Sequence, residues 1–172
     1  MHLAARLDTP IGPMVSVIDE DRALVALNFE APDLPDPLQH QSLRHLKQGV
    51  DLEWDQAPPE DVAEQLSAYF KRERTDFDLT LAPKGTPFQQ KVWTALQAIP
   101  YGEHISYGEL ARRIGNPKAA RGAGSANGAN PIAIIIPCHR VIGANGKLTG
   151  YAGGVHRKAS LLDHEQNALF TW

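Results

Sequence analysis

Ser106-Tyr107-Gly108-Glu109-Leu110-Ala111-Arg112-Arg113-Ile114-Gly115-Asn116-Pro117-Lys118-Ala119-Ala120-Arg121 decides how the second half of this chain folds. Ser106 is a helix N-cap, and Glu109 three positions on completes a capping box over a short helix, Tyr107 to Ile114. Gly115-Asn116-Pro117 breaks it, and a second short helix runs from Ala119 to Asn127. Helix, tight glycine-containing turn, helix is the pattern of a helix-turn-helix. In the second helix Ala119, Ala120, Gly122, Ala123, Gly124, Ser125 and Ala126 are all small, and only Arg121 is long. A helix that reads base edges in a major groove carries several long polar side chains. Near-bare backbone suits either tight packing on a neighbouring helix or close approach to a narrow groove without sequence readout.

Downstream lies Pro131-Ile132-Ala133-Ile134-Ile135-Ile136-Pro137-Cys138-His139-Arg140-Val141. The β-branched run predicts a buried extended segment leading into the single cysteine, with Pro137 limiting the turn. A lone cysteine is more often an inert small hydrophobe than a nucleophile. Here a histidine able to take the thiol proton follows at once, and the charge of His139 and Arg140 favours the thiolate. One cysteine and seven scattered histidines offer no Cys-x-x-Cys or His-x-x-x-His pair, so no zinc or other metal is expected.

Taken in order, these motifs resemble the O6-alkylguanine-DNA alkyltransferases. The likeness runs through Ser106 to Ala111, Gly115 to Arg121, Asn130-Pro131, Pro137 to Val141, Gly150-Tyr151-Ala152-Gly153-Gly154 and Leu161-Leu162-Asp163-His164-Glu165. It is close over residues 85–166 and loose before them. The resemblance implies that Cys138 accepts an alkyl group from O6-alkylguanine, and also from O4-alkylthymine, after the base leaves the duplex. It makes His139 the base, acting through a water, and Glu165 its partner; spacing alone leaves Asp163 and His164 open for that role. Asn130 would fix the nucleophile segment, although as a turn residue it could simply start the loop.

The same resemblance gives Arg121 the gap left by the flipped base. Tyr107 would turn the target phosphate and hydrogen-bond the base, against a plain reading as a helix-start core aromatic. Gln89, Asn116 and Ser125 become DNA contacts, and Tyr151, Gly153 and Val141 the walls of a guanine pocket. Ala159-Ser160 and Asn127 depart from the family pattern, and Asn127 is expected to loosen the pocket for larger alkyl groups. Two rivals differ in class: a lesion-binding module without chemistry, which needs an unreactive thiol, and a Cys-His hydrolase, which leaves the small-residue helix without a purpose.

The chain as a whole fits this reading. Its 172 residues hold one domain or two small ones, and no apolar run approaches a membrane span. The first residues lack a signal-peptide core, and a single cysteine suits a reducing compartment, so a cytoplasmic monomer with no cofactor and no obligate protein partner is expected. Net charge is −3, but residues 1–83 carry −9 and residues 84–172 carry +6. Any polyanion, here double-stranded DNA, would meet the second half. Residues 1–82 read as a small α/β (ribonuclease-H-like) scaffold and 83–172 as a mainly α, helix-turn-helix (winged-helix-like) domain. In the first, Thr9 to Pro13 is a turn; Met14 to Ile18 and Ala23 to Phe29 are strands; Leu38 to Gln48 is a weak helix. Glu60 to Lys71 is a helix burying Val62, Leu66, Tyr69 and Phe70, and Asp76 to Leu81 alternates like a strand. Thr86 caps, and Pro87 opens, a helix whose stripe is Val92, Trp93, Leu96 and Ile99.

Overall fold

The structure is a computed structural model that describes residues 1–30 and 51–166; the helix expected over Leu38 to Gln48 lies outside them. The chain divides between Lys84 and Gly85 into two compact units. In the first, β1 (His2–Leu7), β2 (Met14–Ile18), β3 (Leu24–Phe29) and β4 (Leu52–Trp54) form a sheet in the order β3-β2-β1-β4. The two hairpin pairs are antiparallel and β1–β4 is parallel. Thr9 makes the first turn, its hydroxyl donating to the Gly12 carbonyl at 2.6 Å. Ala4, Val15, Val17, Val25 and Ala26 form a buried cluster with Leu52 and Ala82 packed on it.

Helix α1 (Glu60–Phe70) buries Val62, Leu66, Tyr69 and Phe70, the face its 3.6-residue period specifies. Asp76 to Leu81 is not a strand. Gln65 clasps it: its amide donates to the Asp78 carbonyl at 2.9 Å and accepts from the Asp78 N–H at 2.8 Å. A side chain has taken the groups a ladder would use, and only a single parallel bridge, Leu24 to Leu81, survives.

The second unit is mainly helical. Helix α2 (Pro87–Gln97) starts at Thr86 with a complete capping box, Thr86 and Gln89 each binding the other's backbone. It buries Val92, Trp93 and Leu96, with Ile99 just beyond. Trp93 Nε1 donates to the Ala126 carbonyl at 2.8 Å, which fixes α2 on α4 (Ala120–Gly128). A two-residue strand β5 (Ile105–Ser106) leads into α3 (Tyr107–Arg113). Ser106 accepts from the Glu109 N–H, but the Glu109 carboxylate turns to Arg112 and Arg113 rather than back to the cap. Gly115 stops α3 at φ +80°, and α4 (Ala120–Gly128) follows after Asn116 to Ala119. Strand β6 (Val141–Ile142) pairs in parallel with β5, and α5 (Val155–Gln166) closes the unit. No helix among the described residues is long and apolar enough to cross a membrane.

Candidate active site

The isoleucine run is not extended. Ile132 to Ile136 coils into a buried turn, with Ile136 N–H bonded to the Ile132 carbonyl at 3.1 Å and Ile134 at φ +70°. Asn130 makes the difference. Its amide nitrogen donates to Ile132 O (3.2 Å) and Ile136 O (2.7 Å), and its oxygen accepts from Ile132 N–H (3.0 Å). Three bonds from one buried side chain outweigh the β preference of the run and hold a positive φ that a β-branched residue rarely adopts. Pro137 then caps a single 3₁₀ turn, Cys138–Arg140.

That turn places its three side chains in separate roles. Cys138 is 6% exposed. His139 is fully buried, with Nε2 2.7 Å from Glu165 Oε2. A carboxylate only accepts, so Nε2 carries the proton and Nδ1 is the lone-pair nitrogen of the neutral ring. Nδ1 is buried and has no partner among the described residues, so it is the ring atom left to receive a proton.

Arg140 does not serve the thiol, as its sequence position suggested. Its guanidinium forks onto Glu165, Nε to Oε1 at 2.7 Å and Nη2 to Oε2 at 3.0 Å, and Nη1 donates to Ile99 O at 2.6 Å. Burial works to raise the Glu165 pKa, but His139 and Arg140 outweigh it and hold the carboxyl well below the usual carboxylate range.

The cation that acts on the thiol is Lys158, which the sequence reading missed. Burial pushes the Cys138 thiol up; a hydrogen bond from Asn130 and the charge of Lys158 pull it back. Lys158 has no exposed surface and donates to Thr149 O at 3.0 Å, beneath the Tyr107 ring. A signal was present: Lys158, Leu161, Leu162 and Glu165 fall on one helical face, and all four are buried. The same face selects Glu165 over Asp163, which is exposed.

The remaining candidates are spread over the second unit. Tyr151 is 9% exposed; burial first, and Cys138 next, raise its pKa well above the ordinary tyrosine value, so it stays a neutral hydroxyl. Val141 is buried on β6, and the Gly153 carbonyl accepts from Arg157 at 3.1 Å. Tyr107, half-buried, opens α3 and donates to Thr149 O at 3.1 Å. Arg121, Ser125 and Asn116 are exposed on α4 and its preceding turn. The Gln89 side-chain oxygen is engaged in the α2 cap, accepting from Thr86 N–H at 2.9 Å. The helix-turn-helix is thus joined to the nucleophile by one bond among those described, Asn127 Nδ2 to Cys138 O at 3.3 Å.

Known proteins share this arrangement of sequence and fold. Residues 87–167 match the family described as 6-O-methylguanine DNA methyltransferase, DNA binding domain, and residues 3–83 its ribonuclease-like domain. The methylated-DNA–protein-cysteine methyltransferase of Salmonella typhimurium is 47% identical over 165 residues, 95% of each chain. That of Mycobacterium tuberculosis is 64% identical over 106 residues, 62% of this chain, and the match spans 64% of the relative's length. The crystal structure of the Mycobacterium tuberculosis O6-methylguanine methyltransferase superposes with a TM-score of 0.83 at 46% identity, covering 96% of this chain and 93% of that one. The Mycobacterium tuberculosis protein in complex with DNA gives 0.81 at 45% identity, covering 95% and 92%. With both halves matched and nearly full-length relatives close to half identical, the chain belongs to the 6-O-methylguanine DNA methyltransferase family.

Proposed function

We propose that this protein repairs O6-alkylguanine, and O4-alkylthymine, in double-stranded DNA by moving the alkyl group irreversibly onto Cys138. The observation that carries the reading is the chain of contacts from the Cys138–His139 turn through Glu165 to Arg140, in the same unit as a small-residue helix with an exposed arginine. A thiol 6% exposed meets only a group inserted toward it, which suits a base swung out of its stack. The Arg121 guanidinium would fill the vacated space, and the Gly and Ala of α4 would let the backbone approach the minor groove. Tyr107 would steer the target phosphate, and Gln89, Asn116 and Ser125 would touch the flanking backbone. Tyr151, Gly153 and Val141 would line the base pocket.

The reaction is an in-line displacement. His139, held by Glu165, takes the thiol proton; the sulfur attacks the alkyl carbon; a carbon–sulfur bond forms as the carbon–O6 bond breaks. The electron pair stays with guanine, which ends by gaining the proton. A free thiol with pKa about 8.5 is only a few per cent ionised at neutral pH, so proton removal within the complex matters. The thioether product has no second thiol in this chain to act on it, and thiol exchange opens disulfides rather than thioethers. Each molecule therefore works once, as a cytoplasmic monomer that needs no cofactor. The test is intact mass after incubation with duplex carrying O6-methylguanine. One methyl per protein, on Cys138, is the expected result, and Cys138→Ala should bind the same duplex without gaining mass. Binding with no mass change in the unaltered protein would instead identify a lesion-recognition module, and repeated turnover would rule out the single-use scheme.

A further inference from the structure

The two asparagines that hold the nucleophile segment are used differently. Asn130 bonds through both ends of its amide. Asn127, 2% exposed, bonds through one: Nδ2 donates to Cys138 O, while Oδ1 is buried with no partner among the described residues. Ala123 and Ala126, buried on the same helix, are apolar, and an apolar side chain at 127 would avoid the cost of an unpaired acceptor. The amide is bonded to the peptide of the nucleophile itself. Its oxygen therefore lies next to the residue on which the transferred group comes to rest.

Resting on the proposed alkyl transfer, we infer that Asn127 Oδ1 accepts a hydrogen bond from the incoming alkyl group, so that the site favours O6-alkylguanines whose alkyl chain carries a donor. The 2-hydroxyethyl group is the simplest such substrate, and propyl its apolar match in size. A hydroxyl satisfies the orphaned oxygen; a methyl in the same place leaves it buried and unpaired. Tyr151, whose hydroxyl is also buried without a partner among the described residues, is a second such polar atom in this unit. This selects by chemistry as well as by size.

The experiment measures single-turnover transfer to the full chain from duplexes carrying O6-(2-hydroxyethyl)guanine or O6-propylguanine, by intact mass. The hydroxyethyl-to-propyl rate ratio is compared between the unaltered protein and Asn127→Leu. A ratio within one protein cancels differences in DNA affinity and overall competence, and the change in ratio cancels the intrinsic reactivity of the two adducts. The ratio should fall about tenfold in Asn127→Leu, the effect of one hydrogen bond to a buried acceptor. Asn127→Ala, which adds no bulk, should lower it likewise and serves if the leucine variant fails to melt cooperatively. An unchanged ratio, with both substrates slowed together, means Asn127 only braces the Cys138 carbonyl and overturns the inference. Transfer from neither adduct by the unaltered protein would count against the alkyl-transfer reading itself.

Discussion

At the scale of single residues, Glu165 is where stability and chemistry meet. Its side chain is 1% exposed and binds an imidazole and a guanidinium at once. Glu165→Gln keeps the shape but leaves the Arg140 cation buried beside a neutral amide, so it should cost about 3 kcal/mol in urea unfolding at neutral pH. The acid limb follows from the lowered carboxyl. A folded pKa below the unfolded value of about 4.3 contributes stability that is complete above that value. It is lost as pH falls from there through the folded pKa. The unaltered protein should therefore lose stability steeply below about pH 4, and Glu165→Gln should show a shallower loss over that range. An equally steep limb in the variant would place the acid sensitivity elsewhere. Lys158 acts on the other partner. Lys158→Met removes the charge that pulls the Cys138 thiol down, so the thiol pKa should rise, read as a shift to higher pH in its alkylation by iodoacetamide. A profile that stays put would mean the ammonium only supports the Thr149 carbonyl.

At the scale of elements, local signals and their failures separate cleanly. Caps were legible: Thr86-Pro87 and Ser106 start helices where their side chains say they should, because a cap acts on backbone only a turn away. Two stretches depart from their sequence pattern for one reason. Alternation at Asp76 to Leu81 and β-branching at Ile132 to Ile136 both promise extended chain, but Gln65 and Asn130 bind the backbone those stretches would pair with. Propensity carries no record of a side chain thirteen residues away, nor of an asparagine that pulls Ile134 to φ +70°. Lys158 was hidden differently, as an ordinary lysine whose helical face becomes evident only once Glu165 is known to be buried. The α2 start gives the element-scale prediction. Thr86→Ala should cost about 1 kcal/mol, one cap bond. Gly85→Ala should cost more, because its added carbon would run into the Trp93 ring, which is 2% exposed and anchored to α4. Thermal melts should rank them in that order; the reverse ranking would mean that the Trp93 site yields freely.

At the scale of the whole molecule, the family and the two-part build were within reach of the sequence, whereas the wiring of the centre needed coordinates, since it joins residues 99, 130, 139, 140, 158 and 165 across several elements. Charge is the whole-molecule property that bears on function. A protein of net −3 should repel a polyanion, yet residues 1–83 carry −9 and residues 84–172 carry +6. At physiological salt a charge is felt over about 8 Å, so DNA bound at α4 as proposed would respond to nearby lysines and arginines far more than to the sum over the chain. Contacts to phosphate release counterions, and affinity then falls with salt by a slope of about −0.9 per phosphate neutralised. The expected result is a clearly negative slope of log affinity against log salt in spite of the acidic total. Lys118→Gln, which removes an exposed cation from the turn before α4, should flatten that slope by about one unit. The pair Glu53→Gln and Asp55→Asn, exposed on the first unit, should change net charge by more and the slope hardly at all. Titrations of a labelled duplex at several salt concentrations decide between them. A slope that tracked net charge, moving with the acidic pair and not with Lys118, would mean that the long-range field of the whole chain governs binding rather than the contacts made by its basic half.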